Sequence, residues 1–577
     1  MTGGGRKSIT LAHEEGGIMS IDGQQIVAPA IEKSYSSSEK GGDDSENESK
    51  VSRTTTPDPF AHINAHNGVG KTARKLKSRH IQMIGIGGGI GTGLFVGSGT
   101  ALAHAGPIGV LLAYLLVGAV LFPVMEGMAE MTTHLPVAGS FMHFSSRFVD
   151  PAVGLTVGYN YFFCYAIGIA SELSAAASII QYWNQDINIA VWISIMFAAI
   201  ALLNLVGVRV YGESEVVTSM VKIFAFIGLI LFGIIIDLGG GPNHDRLGFR
   251  YWKSPGTFNQ YEGIGGAKGR FLAFFSAIPN AAFTYVGTET VVLAAGEASN
   301  PTKQIPKATR RVLYRIGTFY IGGIFIMGLI VPYNHPRLLS SGTYSAASPW
   351  VIAIDSAGVK VLPHIINAVI LVSAFSAGSS YAYVASRTLY SLALDKQAPS
   401  IFGKVTKRGL PYVSIIFSLL FGCFAYLGVS NGGGTVFMWL SSLSSVAGLF
   451  AWATVSWTYL RFRAATFAQG YDRSKLAYQA RLQPWSSQAS VVTISLIILF
   501  SGWTTFLNGN FTATNFLTSY LGVPMFFLPW IGYKLWKRTK MVPLEEMDLD
   551  SGRIDPKDEI EEPAPTNAYE RFMAWIF

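Results

Sequence analysis

Charge is what this chain has least of. Only 14% of its 577 residues are Asp, Glu, Lys or Arg, and 50% are apolar. A soluble protein of this length needs more charge to cover its surface, so a water-soluble globule is a poor fit. Cysteine is nearly missing. Cys164 and Cys423 stand alone in separate apolar segments and read as packing residues, so no disulfide framework is implied. No spaced metal ligands and no nucleophile–base pair stand out in those segments, which argues against an enzyme and gives no reason to expect a metal or other cofactor. The "GVGKT" at Gly68–Thr72 resembles the end of a phosphate-binding loop. The first Gly of that motif would fall at Ala65, and no strand precedes it. There is no pattern of a cleavable leader in the polar first stretch, so the first apolar segment is expected to act as its own insertion signal. The final "WIF" excludes a prenylation motif.

What the chain has is long hydrophobic runs. Runs of roughly 18 or more apolar residues mark transmembrane helices. About twelve recur, starting near Ile81, Ile108, Ala152, Ile189, Glu215, Phe271, Ile316, Leu362, Val413, Val436, Ala489 and Ala513. The expected class is an all-α integral membrane protein. Residues 1–75 form a cytoplasmic N-terminal tail, 76–540 the transmembrane domain and 541–577 a cytoplasmic C-terminal tail. The net charge of +8 does not point to nucleic acid, because its distribution follows the membrane. Lys71–Arg79, Lys303–Arg315, Lys396–Arg408, Arg461–Arg481 and Lys534–Lys540 all fall on one side of a twelve-span chain. The connections 429–435 and 508–512 carry no Lys or Arg, and 237–270 is the one mixed exception. The positive-inside rule then puts both termini in the cytoplasm.

The N-terminal tail is rich in Ser, Gly and acid ("SYSSSEKGGDDSENESK") and cannot bury enough apolar surface to fold alone. It is either a solvated tail or a regulatory one in which Lys33, Lys40 or Lys50 accepts ubiquitin through ligase adaptors. The C-terminal tail turns acidic ("LEEMDLDSG") and ends in "AYERFMAWIF". Its aromatic residues suit either the membrane surface or packing on cytoplasmic loops.

One short stretch is anomalous. "IGIGGGIGTGLF", Ile84–Phe95, loads a membrane segment with Gly, although each costs about 1 kcal/mol of helix stability against Ala. Small residues can serve close helix packing, and Gly97 and Gly99 fit that reading. The denser 85–93 run fits an interrupted helix better. An unpaired backbone group in lipid costs several kcal/mol, so an interruption needs a cavity, an ion or a substrate to satisfy it. The amides that start the second half carry the positive dipole end, and a carboxylate is their natural guest. The sixth span repeats the signal. In "FLAFFSAIPNAAFTYVGTETVVLAAGE", Pro279, Gly287 and the polar pair Thr288–Glu289 break the middle. Spans one and six each open a five-span block, the placement expected of an inverted five-plus-five repeat with two peripheral spans.

Ionisable residues are expensive in a bilayer, at about 2.5–3.5 kcal/mol each on insertion scales. Glu126 and Glu130 end the second span, Glu172 lies in the third, Lys222 in the fifth and Glu289 in the sixth. Glu130 can also snorkel or pair with a loop amide. Glu172 and Lys222 lie well inside apolar runs, where a functional reading outweighs a purely structural pair, and both suit proton coupling. One proton crossing 100 mV yields about 2.3 kcal/mol, roughly fifty-fold accumulation. Polar runs at Ser373–Tyr383 and Ser441–Gly448 either line a cavity or hydrogen-bond across helices.

Together, "GIGGGIGTGLFVGSG", "EMTTHLPVAGSF", "GFRYW", "NAAFTYVGTE", "AGEASNP", "VPYN" and "LPHIINAVI" resemble the fungal amino acid permeases of the amino acid–polyamine–organocation superfamily. The resemblance runs from about Leu76 to the end of the chain. It implies a LeuT-like fold with broken helices 1 and 6, and proton-coupled amino acid uptake at the plasma membrane. By the same resemblance, backbone around Gly91, Thr92 and Gly93 would hold the substrate carboxylate. Carbonyls around Ile90, Phe283 and Thr284 would take its ammonium, and Phe283 or Tyr285 would cover the site. Lys222 matches the place where some superfamily members use a lysine instead of a sodium ion. Ser444 falls where members tune side-chain selectivity. Glu126, Glu130 and Glu289 are further proton-coupling candidates, and Glu172 would either carry a proton or attract a cationic side chain.

The favoured function is a broad amino acid importer whose partners are amino acid, proton and lipid. Some motifs resemble acidic and others basic amino acid permeases, so a restricted range stays open. A receptor with a transporter fold is the competing class. A channel is disfavoured because no filter repeat appears.

Overall fold

The computed structural model describes residues 89–295, 301–339 and 348–551, apart from 138, 408 and 508–510, with a few isolated residues outside these ranges. Contacts divide the chain into residues 1–59 and 60–577. Within the first unit, strands β1 (Met19–Ile21) and β2 (Gln24–Ile26) pair antiparallel. Tail lysines Lys33, Lys40 and Lys50 lie outside the described residues. In the second unit the described regular elements are all helical.

Ten of the described helices are long and apolar enough to cross a membrane. The first of them is two spans. Ser98–His134 divides at Gly106 (φ 74°, ψ 171°) into two helical arms. The loop that follows span five stitches this corner, with the Ile108 amide donating to Thr257 O (3.0 Å) and the Asn259 amide to Ala105 O (3.2 Å). A Cβ at Gly106 would lie 2.7 Å from the Asn259 amide nitrogen, so both the dihedral and the space demand Gly. A further span, Ala513–Tyr520 continued by Gly522–Lys537, is joined through Leu521 in helical geometry. With these two the count is twelve, as the hydrophobic runs indicated.

Caps explain several starts. Asp150 accepts from the Ala152 amide with Pro151 at the first helical position, Asn188 accepts from Ala190, and Thr512 from Asn515. The spans that begin well before their apolar runs include three: Val208 rather than Glu215, Gly266 rather than Phe271, and Pro301 rather than Ile316. The bilayer dictates only the apolar length. A helix continues into polar sequence because its own hydrogen bonds persist there.

Span three (Pro151–Ile180) is enclosed along nearly its whole length. Spans four (Ile189–Val206) and five (Val208–Asp237) keep one face in the core and expose Leu202, Phe224, Leu231 and Ile235 on the other. That is the pattern of peripheral helices against lipid. Cys164 is buried and Cys423 exposed, both unbridged.

One face of the bundle carries the short buried helix Ser140–Phe148, the end of span ten and the cationic 473–481 loop. Residues 541–551 are strapped across it. Arg147 donates to Asp548 O (2.6 Å) and Ser551 O (2.7 Å) and pairs with the Asp548 carboxylate (2.8 Å). Gln469 donates to Leu544 O and Met547 O, Arg461 to Val542 O, and the Val542 amide to Val149 O. Met547 and Leu549 are the strap's own buried side chains. This part of the tail packs on protein; the terminal aromatic residues lie outside the described range.

Candidate functional site

The expected break in span six and the expected helix restart in span one are both present. Gly89–Gly91 is non-helical, and the chain re-enters helix at Thr92 through a π-helical turn, Gly93–Gly97. The preceding half of span one, with Gly85–Gly88, lies outside the described residues. In span six the helix Gly266–Tyr285 ends at Val286 (ψ 136°) and Gly287 (φ 96°), and helix resumes at Thr290–Ala295. The two breaks face each other. A Cβ at Gly93 would lie 2.9 Å from Thr284 Oγ1 and 3.1 Å from Phe283 Cδ1, and one at Gly91 would lie 3.0 Å from Glu172 Oε1. The Gly run therefore buys close approach of two helices and a carboxylate to bare backbone.

At the restart of span one, Thr92 Oγ1 donates to Glu172 Oε2 at 2.9 Å, and the Thr92 amide faces the same carboxylate. Both residues are buried. The side chain of Glu172 thus occupies the positive end of the half-helix, where a substrate carboxylate was expected, and its Oε1 has no hydrogen-bond partner among the described residues. On the other side of the break, Ile90 O accepts from Ser373 of span eight at 3.0 Å. A carbonyl oxygen has a second lone pair, so this bond leaves Ile90 able to accept again.

Span six supplies the aromatic face. Phe283 is buried edge-on against Phe437, with ring centroids 5.8 Å apart. Tyr285 is committed elsewhere. It stacks on Tyr320 (4.7 Å) and donates to Tyr114 O (3.0 Å), while Tyr114 and Thr284 share a hydroxyl bond of 2.9 Å. Of the two rings expected to cover the site, Phe283 is the one adjoining Gly93. At the far end of the break, Glu289 sits in a cage of donors: Tyr165 Oη (2.8 Å), Tyr161 Oη (3.2 Å), Trp452 Nε1 (3.3 Å) and the Gly287 amide (3.4 Å). Ser444 donates to Cys164 O (2.9 Å), fastening span ten to span three one residue from Tyr165.

Lys222 is fully buried with a counter-ion that the sequence reading did not single out. Its ammonium lies 3.6 Å from Glu215 Oε1 and donates to Ser376 Oγ (2.8 Å), which donates to Glu215 Oε2 (2.7 Å). Ser219 adds a further bond to the carboxylate, donating to Glu215 Oε1 at 3.2 Å. Glu215 and Lys222 are two helical turns apart on one face, and that spacing was the available signal.

Two broken helices, bare amides and a buried lysine near a buried carboxylate are the parts of a transporter for a small zwitterion, and the comparisons agree. Residues 80–545 match the family described as "Amino acid permease". The chain is 42% identical over 556 residues to the dicarboxylic amino acid permease of Saccharomyces cerevisiae, covering 92% of this chain and 91% of that protein. It is 42% identical over 520 residues to the proline-specific permease of Emericella nidulans, covering 88% and 94%. It is also 42% identical over 484 residues to the basic amino-acid permease of Saccharomyces cerevisiae, covering 83% and 84%. The chain belongs to the amino acid permease family. It is a multi-pass membrane protein with the family's LeuT-like fold.

In this permease Glu126 and Glu130 are not brought to the interruptions. They lie one turn apart near the end of span two and clamp the loop between spans ten and eleven. Glu126 accepts from Tyr478 Oη (2.7 Å) and the Arg481 amide (3.0 Å). Glu130 accepts from Tyr459 Oη (2.8 Å) and the Ala480 amide (2.7 Å), and pairs with Arg473 (2.6 Å). The loop-amide reading of Glu130 describes this geometry.

Proposed function

We propose that this permease imports amino acids across the plasma membrane, driven by protons, with the strapped, cationic face in the cytoplasm. The observation that carries the reading is the Thr92–Glu172 bond at the restart of span one. A half-helix end favours one negative group. Two carboxylates, one from Glu172 and one from a substrate, repel each other there. Protonation of Glu172 removes that repulsion, so substrate and proton bind together more strongly than either alone. That is a coupling free energy, and it is reciprocal. Release of the proton on the other side restores the Thr92–Glu172 contact and expels the substrate.

Lys222 and Glu215 support this arrangement as a fixed ion pair within span five, bridged by Ser376 of span eight. Lys222 lies within electrostatic reach of Glu172, and its charge therefore biases which state of Glu172 is held. Ile90 and the 283–284 backbone offer acceptors for the ammonium. Phe283 closes over the site with Phe437, and Ser444 shapes the wall by which side chains are told apart. Glu289, in its cage, is a second place for a proton. The tail lysines are proposed acceptors of ubiquitin.

The substrate range is proposed to be broad. The relatives include proteins named for dicarboxylic, proline and basic amino acid substrates at equal identity, so no one of them dominates. Uptake of labelled glutamate, proline and lysine in a permease-deficient cell tests the proposal, with competition by each common amino acid at two pH values. Accumulation of at least one, enhanced at the lower pH, supports it. Binding without accumulation would make the protein a receptor.

A further inference from the structure

Span seven is not a uniform helix. Pro301–Arg315 is α-helical, Ile316–Gly322 is π-helical, and Gly323–Ile330 is α-helical again. π-Turns are uncommon and concentrate at functional sites. Here the wide turn changes which side chains share a face. Five steps along an α-helix turn through about 500°, leaving residues i and i+5 about 140° apart. Bonding from i to i+5 brings them back toward one face. Arg315 and Tyr320 accordingly lie together, the guanidinium carbon 6.0 Å from the Tyr320 ring centroid.

From that face the two side chains reach both interruptions. Tyr320 Oη donates to Gly89 O at 2.6 Å, at the break in span one. Arg315 Nη2 donates to Thr288 Oγ1 at 3.1 Å, in the break of span six. The ring of Tyr320 stacks on Tyr285, the last helical residue before that break. All four residues, Thr288, Arg315, Tyr320 and Tyr285, are buried. A Cβ at Gly89 would lie 3.2 Å from both Arg315 Nη2 and Tyr320 Oη, so the released backbone is pressed directly against the pair. Lipid offers no hydrogen bonds to such freed groups, so protein must supply them.

We propose that Arg315 and Tyr320 are positioning residues for the substrate: the π-turn of span seven fixes the released backbone of span one relative to that of span six and so holds the two halves of the binding site at their working separation. This rests on the transport reading above. It assigns a task to two residues that touch backbone and hydroxyl, and it places the determinant of affinity on a span outside the broken pair.

The test uses the full-length chain. Tyr320→Phe removes one hydroxyl and keeps the ring stacked on Tyr285. Thr288→Val removes the other anchor, and Thr288→Ser restores it. Uptake is measured with labelled glutamate, proline and lysine, following whichever the parent accumulates. Tyr320→Phe and Thr288→Val are expected to raise KM by about five- to ten-fold while the maximal rate per surface copy is nearly kept, and Thr288→Ser to recover most of the loss. In purified protein, amide hydrogen exchange over residues 89–97 is expected to accelerate in Tyr320→Phe, with 152–180 unchanged. Parental exchange over 89–97 in Tyr320→Phe overturns the proposal. So does an unchanged KM, or equal KM values in the Val and Ser variants at Thr288. The exchange measurement needs no substrate. A parent that accumulates none of the three amino acids therefore counts against the transport reading, while the exchange result still decides this inference.

Discussion

Thr92 and Glu172, eighty positions apart in sequence, are joined by a hydrogen bond of 2.9 Å that seats a carboxylate on the start of a half-helix. This bond gives a physical reason for coupling. In the proposed scheme the group that takes the proton sits where the substrate's own carboxylate would bind best.

Glu172→Gln keeps the shape and removes the titration. The account expects exchange of labelled amino acid across the membrane to continue while uphill accumulation is lost. Counterflow and accumulation assays on one cell preparation separate the two. Thr92→Val removes the hydroxyl that donates to Glu172 and is expected to abolish uptake with the protein still at the surface.

Lys222→Ala leaves Glu215 as an uncompensated buried charge, and breaking a buried pair in this way costs about 3–5 kcal/mol. A lower unfolding midpoint in detergent is the expected result. Lys222→Met combined with Glu215→Leu replaces both charges by apolar groups and should recover most of that midpoint. Uptake should stay lost, because the positive charge facing Glu172 is gone. Restored uptake in the double variant would remove Lys222 from the coupling scheme.

The breaks were legible in the sequence because Gly and Pro clusters have few other uses in a membrane helix. Glu172, Lys222 and Glu289 were legible because charge inside an apolar run is expensive. Glu215 was not, because it lies near the polar beginning of span five and reads as a boundary residue. Tyr161, Tyr165 and Trp452 around Glu289 look like ordinary apolar packing until the fold aims their polar tips at one carboxylate. The amides of Ala480 and Arg481 meet Glu130 and Glu126 across about 350 positions, and no local pattern announces such a pairing. The π-turn also leaves no periodic trace, since a run of apolar residues looks the same at either pitch.

Glu130 is held by two hydrogen bonds and one ion pair at the cationic face, and we propose that it serves there as a clamp and not as a stop on a proton path. Glu130→Gln should therefore lower stability and surface amount, by the order of 3–5 kcal/mol for a broken buried pair. The ratio of protons to amino acid carried by the remaining copies should not change. Simultaneous recording of proton and label entry checks this, and a changed ratio would return Glu130 to the coupling route.

The C-terminal strap has its own pH signature. Burial works against the charge of Asp548, but hydrogen bonds from the Ser551 hydroxyl and amide and the charge of Arg147 outweigh it, so its carboxyl is held below the ordinary value. A depressed carboxylate stabilises the fold above its unfolded value, near pH 4, and loses that contribution as pH falls through the folded one. The strap should stay docked between about pH 5 and pH 7. Arg147→Ala should lower stability across that range and leave the shape of the uptake–pH profile unaltered.

The most direct measurement reconstitutes the purified chain in sealed vesicles with an imposed inward proton gradient and follows labelled glutamate, proline and lysine. The account predicts accumulation of at least one above its equilibrium level, collapse of that accumulation by a protonophore, and its absence in Glu172→Gln. Accumulation that ignores the protonophore, or that survives intact in Glu172→Gln, would contradict it.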